Sequence, residues 1–156
     1  EPVGIRVFCI IKVIMNRAAI PANASCLKNS AILPAIVVGF GFSFFSMQHA
    51  NASKVTLSLQ AEKLPRFTKT FSCLERSFLT KAHRTNAEYT EPNIDVSNLD
   101  QLHRLLIHDP QTSGGLLLSI SPAVSHAMIQ ALRSKFKSAE IVGQVLPRQH
   151  KAVVFE

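Results

Sequence analysis

Charge is scarce in this chain. Aspartate, glutamate, lysine and arginine supply 17% of its 156 residues, below the usual quarter of a soluble domain. Such a shortage suits a unit that packs on a neighbour. The charge that is present sums to +7, yet the cations are scattered: Lys63, Arg66 and Lys69, then Arg76, Lys81 and Arg84, then Arg133, Lys135 and Lys137. With one short cluster and no long run, ordinary solvated faces are expected, and nucleic acid is not an expected partner.

Cysteine is scarce too. Cys9, Cys26 and Cys73 are odd in number and far apart, which points away from a CxxC metal site and from a disulfide framework. A reducing, cytoplasmic setting is the expectation. Two glycosylation-type triplets, at Asn23 and Asn51, are short enough to arise by chance, and no leader pattern is read at the start. Cys73 falls on an apolar helix face, where inert packing is expected. The six histidines (His49, His83, His103, His108, His126 and His150) show no HExxH or other regular metal spacing, so surface or capping roles are expected. The carboxylates form no paired acid–base signature. No metal ligand and no catalytic residue is therefore assigned.

Apolar residues make up 47% of the chain, enough for a core in a single domain. Residues 31–47, "AILPAIVVGFGFSFFSM", carry no charge and reach the lower limit of a membrane span, roughly 17–25 residues. Pro34, Gly39, Gly41 and Ser43 interrupt the run, and no Trp or Tyr belt flanks it. A strand at Ile36–Val38, a turn at Gly39-Phe40-Gly41 and a helix over Phe42–Ala52 explain it without a membrane.

Elsewhere, Val7–Ala19 reads as a helix stopped by Pro21, and residues 21–33 as loop. Val55, Leu57 and Leu59 alternate with polar residues, which predicts a half-buried strand. Pro65 opens a predicted helix whose Phe67, Phe71, Leu74 and Phe78 recur at helical spacing and should face the core. Lys81–Val96 reads as polar and irregular. Ser97 or Asn98 should cap a short helix carrying Leu99, Leu102, Leu105 and Leu106. A strand at Leu116–Ile120 is followed by Ser121 and Pro122, an N-cap and a first-turn proline. The helix they open should bury Val124, Ala127, Met128, Ala131, Leu132 and Phe136. Strands at Glu140–Leu146 and Ala152–Phe155 close the chain. This interleaving predicts an α+β fold, a mixed sheet covered by helices.

The most unusual stretch is "HDPQTSGGLLL", His108 to Leu118. Asp109-Pro110 initiates a turn, Thr112 and Ser113 offer hydroxyls, and Gly114-Gly115 admit positive φ or a close approach. Successive N–H groups in such a turn can nest an anion. A strand-entry turn that only steers the chain is an equally open reading. A P-loop is not, since no Lys follows the glycines. Gly39-Phe40-Gly41, before a helix, could set a helix N-terminus near a phosphate or merely permit tight packing.

Taken in series, these motifs resemble the selenophosphate synthetases (selenide, water dikinases). "HDPQTSGGLLLSI" is similar to that family's C-terminal signature. Met15-Asn16-Arg17-Ala18-Ala19, Gly39-Phe40-Gly41, Ala50-Asn51-Ala52-Ser53, Leu64-Pro65, Arg84-Thr85-Asn86-Ala87-Glu88-Tyr89 and Val142-Gly143-Gln144-Val145 resemble its other motifs in order. The resemblance covers nearly the whole chain as one C-terminal-type domain, 1–156, of aminoimidazole ribonucleotide synthetase-like fold. It implies a reaction of ATP, selenide and water giving selenophosphate, AMP and phosphate, with Mg²⁺. The family's N-terminal ATP- and metal-binding domain is not matched here. Glu1 in place of Met fits part of a longer chain. By resemblance, Thr112, Ser113, Gly114 and Gly115 face the nucleotide or phosphate, with Gly39, Gly41, Asn16 and Asn86 in support; Asp109 is expected to cap the turn. Ile36 stands where the family's "TDVTGFG" has a metal-binding Asp, and it has no oxygen for a hard cation. The chain alone is therefore expected to be inactive. Its expected partner is a synthetase subunit or the unmatched N-terminal domain. The alternative is a non-catalytic module that pairs with a full-length synthetase.

Overall fold

The computed structural model describes the backbone of residues 5–10 and the whole of residues 41–110 and 116–156. The chain forms β1 (Ile5–Ile10), α1 (Phe42–Ala52), β2 (Val55–Leu59), α2 (Thr70–Glu75), α3 (Lys81–Thr90), β3 (Ile94–Asp95), α4 (Gln101–His108), β4 (Leu116–Ile120), α5 (Pro122–Arg133), β5 (Glu140–Pro147) and β6 (Val153–Phe155). Among the described residues one six-stranded sheet runs β3-β6-β2-β5-β1-β4. β2 and β3 lie parallel to β6, and the remaining neighbours are antiparallel. The mixed sheet with helices packed on it is the α+β architecture that the sequence pattern predicts.

Two cores line the sheet. Met47, Leu57, Leu59, Leu106, Ile107, Leu117, Val153 and Phe155 belong to the larger one, beneath α1, α2 and α4. Leu118, Ile120, Ile129 and Ala139 form the smaller, closed by Met128, Leu132 and Phe136 of α5 and its exit. Leu117 and Leu118 are adjacent on one strand, so they point to opposite faces. The two cores therefore lie on opposite sides of the sheet. Each fully buried Leu or Ile contributes about 1.5–3 kcal/mol.

α5 starts where expected: the Ser121 hydroxyl accepts from the Ala123 N–H at 3.4 Å, with Pro122 in the first turn. Its buried stripe is shifted, however. Ile129 is its one fully buried residue, whereas Val124, Ala127 and Ala131 are exposed.

Several expectations are overturned. Residues 7–10 of the predicted Val7–Ala19 helix belong to β1, held between β4 and β5; the rest of that span lies outside the described residues. A central strand is an apolar run without alternation, which periodicity alone does not distinguish from a buried helix. β2 is not half-buried, because Thr56 and Ser58 are covered as well. The Thr56 hydroxyl donates to the Lys151 carbonyl at 2.7 Å and accepts from the Gln149 N–H, while Ser58 donates to the Glu156 carboxylate. The stretch read as irregular from Lys81 is α3. Its inward residues are His83, Asn86 and Thr90, polar side chains at helical spacing, so hydrophobic periodicity never registers it. The cap of α4 is Asp100, not Ser97 or Asn98: its carboxylate accepts from the His103 N–H at 2.8 Å.

The aromatic stripe departs furthest. α2 spans only Thr70–Glu75, and of that stripe only Leu74 is buried. Phe67 and Phe78 flank the helix at 69% and 59% exposure. Cys73 is exposed as well, not packed inert in the core.

The predicted loop 21–33 and strand Ile36–Val38 lie outside the described residues. No described helix is long and apolar enough to cross a membrane.

Candidate functional site where the DPQTSGG segment begins

The His108 main chain is where distant parts of the sequence converge. α4 ends there, and Asp109 follows as its C-cap with extended backbone (φ −61°, ψ 127°). The Asp109 N–H closes the last turn on the Leu106 carbonyl at 3.2 Å. Pro110 then pairs with Gly41 in an isolated antiparallel bridge. Gly41 is the N-cap of α1 and has no side chain with which to cap it. A Cβ at Gly41 would sit 2.8 Å from the His108 carbonyl carbon and oxygen and 3.0 Å from the Ile107 oxygen. Glycine is required there for space, since its φ of −87° is open to any residue. From the other side, the Asn86 amide donates to the same His108 oxygen at 3.0 Å.

The His108 side chain is held by a second set of polar groups. Its Nδ1 lies 2.9 Å from the Ser43 hydroxyl and 3.4 Å from that of Thr90. Thr90 donates to the Asn86 carbonyl at 2.8 Å and lies 3.3 Å from Ser43. The His83 ring stands 6.1 Å from the His108 ring, edge to face, and its Nε2 meets the Leu105 carbonyl at 2.6 Å. Among the described residues the His108 Nε2 has no hydrogen-bond partner, and it lies 3.9 Å from the Glu91 carboxylate. Burial, seconded by the charge of His83, pushes the His108 pKa down to about 4. Burial also raises the Asp109 carboxyl, with His83 opposing. Histidines expected at the surface are therefore interior: His49, His83 and His108 are all buried.

His49 forms a separate tie. Its Nε2 lies 2.7 Å from the Ser119 hydroxyl and links α1 to β4. Burial lowers its pKa.

Of the residues proposed to face a nucleotide or phosphate, the structure brings Gly41 and Asn86 together on the His108 carbonyl. Asn16, Gly39, Thr112, Ser113, Gly114 and Gly115 lie outside the described residues, as does Ile36. Sequence reasoning passed over Ser43, Thr90 and His108. The available signal was the spacing of His83, Asn86 and Thr90, which marks a polar inward helix face. Among the described residues no three metal-ligating side chains converge.

No family model matches the chain. Individual relatives do. Over 120 residues the chain is 66% identical to a selenide, water dikinase of Nitrosomonas eutropha, an alignment covering 77% of this chain and 34% of that protein. Over 130 residues it is 59% identical to a selenide, water dikinase of Bdellovibrio bacteriovorus, covering 83% of this chain and 37% of the relative. The chain belongs to the selenide, water dikinase family. It spans about a third of the length of these curated relatives. A more distant dikinase, from Aliarcobacter butzleri, is 30% identical over 120 residues. Membership of the dikinase family gives the Gly41–His108–Asn86 junction a context. It is the scaffold from which the DPQTSGG segment of a dikinase-type chain departs.

Proposed function

We infer that this chain is the C-terminal-type part of a selenide, water dikinase, and that it carries the DPQTSGG turn to a phosphate-handling site. One observation supports this above the rest. Gly41 and Asn86, 45 positions apart in the sequence, both close on the carbonyl from which that turn starts. A turn that only steered the chain into β4 would not need a helix N-terminus and a buried amide fixed at its root. Among the described residues α1 has no side-chain N-cap and no acidic residue in its first turn, and a helix N-terminus at this place favours an anion. In this reading Thr112, Ser113, Gly114 and Gly115 face the phosphates of ATP, and Gly39 and Asn16 support them. The reaction converts ATP, selenide and water to selenophosphate, AMP and phosphate in the cytoplasm.

Phosphoryl transfer works by positioning and charge neutralisation. The described residues offer no ligand set for Mg²⁺, and Ile36 lacks the oxygen of the family's Asp. The metal and nucleotide machinery is therefore contributed by a partner subunit or a further domain, and the chain alone is inactive. Incubation of the chain with ATP, Mg²⁺ and selenide should yield no AMP; robust AMP formation would overturn that. The decisive test is a chimera in which this chain replaces the matching third of the Nitrosomonas eutropha dikinase. Weak AMP formation that Ile36→Asp restores supports the reading. A folded chimera that stays inactive with Ile36→Asp rejects it. That second outcome favours a module that pairs with a full-length synthetase without taking part in chemistry, a reading that Ile36 itself recommends.

A further inference from the structure

The segment from Glu62 to Lys81 holds a surface that the dikinase reading does not use. Its sequence predicts a core helix, yet Phe67 and Phe78 stand in solvent at 69% and 59% exposure, and Leu79 is exposed at 42%. The same segment carries Lys63, Arg66, Lys69, Arg76 and Lys81, all exposed, against two exposed carboxylates, Glu62 and Glu75. Among the described residues none of these five cations is in an ion pair. Two of them are organised by aromatic rings. The Arg66 guanidinium lies 4.4 Å from the Phe71 ring centre, and that of Arg76 lies 4.8 Å from the Phe78 ring centre. Arg66 is further fixed by donating to the Glu62 carbonyl at 3.0 Å. The surface thus combines unneutralised cations, guanidinium groups already oriented, and apolar rings at both ends of a short helix.

A fitting partner must offer negative charge and flat apolar area side by side. The geometry points to a single-stranded nucleic acid, whose phosphates meet the lysines and arginines while its bases stack on Phe67 and Phe78. Base–aromatic stacking tolerates any sequence, because every base has a flat face. An acidic protein face would also satisfy the charge. Lysine, however, is depleted where protein interfaces are buried, and three of the five cations here are lysines. Exposed rings set among cations are the arrangement used to track single strands. The inference is independent of the dikinase reading, since no residue of the Gly41–His108–Asn86 junction takes part in it.

The test uses the whole chain and a fluorescent twelve-nucleotide oligothymidylate, read by anisotropy at increasing salt. Five phosphate contacts on a single strand give a log–log salt slope of about −3.5. Phe67→Ala and Phe78→Ala should each weaken binding about fivefold or more. Both rings are exposed, so thermal unfolding should hardly change. Lys63→Glu with Lys69→Glu should weaken binding further and flatten the slope. Three outcomes overturn the proposal. One is absence of binding at 50 mM salt with the chain at about 100 μM, weaker than ordinary non-specific binding. Another is affinity that ignores both phenylalanine substitutions, which leaves only general attraction between charges. The last is equal competition by oligoglutamate, which assigns the surface to acidic protein partners.

Discussion

Ser43 and His108 lie 65 positions apart in the chain, yet the Ser43 hydroxyl sits 2.9 Å from the His108 Nδ1 in a fully buried contact. The contact joins the first turn of α1 to the last turn of α4, where the DPQTSGG segment begins. Burial at this place keeps His108 neutral, because a charged ring there would lose its hydration.

Acid should therefore loosen the fold. The His108 pKa is about 4 in the folded chain against 6.5 ordinarily. The unfolded chain binds the extra proton first, so stability is complete above about pH 6.5 and falls as pH drops towards 4. The loss is at most about 3.5 kcal/mol. The lowered pKa of His49 acts in the same direction, whereas the raised carboxyl of Asp109 opposes it at the acid end. Glu91, at 3.9 Å, and His83 are the other titratable groups facing the ring. Urea unfolding between pH 4 and 7 should show this limb, and His108→Gln should flatten it. An equally steep limb in the variant would assign it elsewhere.

Gly41→Ala should destabilise the chain by about 1–3 kcal/mol, the usual cost of overpacking. The new methyl group meets backbone at the His108 carbonyl, which has no rotamer by which to yield. Thermal unfolding measures the loss, and an unchanged midpoint would show that the two segments separate freely.

Asn86→Ala removes the donor to that same carbonyl and leaves a buried acceptor short of a partner, at a cost of about 1–3 kcal/mol. Because both residues act on one carbonyl, the Gly41→Ala, Asn86→Ala double variant should depart from additivity by about 0.5 kcal/mol or more. A double-mutant cycle in urea reads the coupling directly, and strict additivity would dissolve the junction as a unit.

Gly143→Ala should be worse than either. Gly143 lies opposite Leu59 on β2 and Val7 on β1, and an added Cβ would collide with the Ser58 carbonyl oxygen. Two central strands would have to part. Loss of soluble, cooperatively folding protein is expected by expression and circular dichroism.

Around α2, Leu74→Ala should cost about 2–5 kcal/mol as a buried deletion, while Phe67→Ala should stay within about 0.5 kcal/mol as a surface change. Comparable losses at both positions would restore the stripe to the core.

Elements whose local signal agreed with their surroundings were legible beforehand. α1, β2, β4, β5 and β6 fall where turn residues and apolar runs place them. Ser121-Pro122 marks the start of α5 by chemistry that needs nothing beyond its own neighbours. β1 was hidden because an apolar run between two other strands lacks alternation. α3 was hidden because its inward face is polar, and those polar groups find partners on α1 and α4, far away in the sequence.

The amino-acid order by itself therefore determined the family signature, the α+β alternation and the glycine and asparagine positions of the candidate site. Those are properties of short segments, carried by residue type and spacing. Only the tertiary structure decided that Gly41 and Asn86 meet on one carbonyl, that His108 is buried and neutral, and that Phe67 and Phe78 face solvent. Burial and hydrogen-bond pairing depend on segments far apart in the chain, and no local pattern records which of them will cover which.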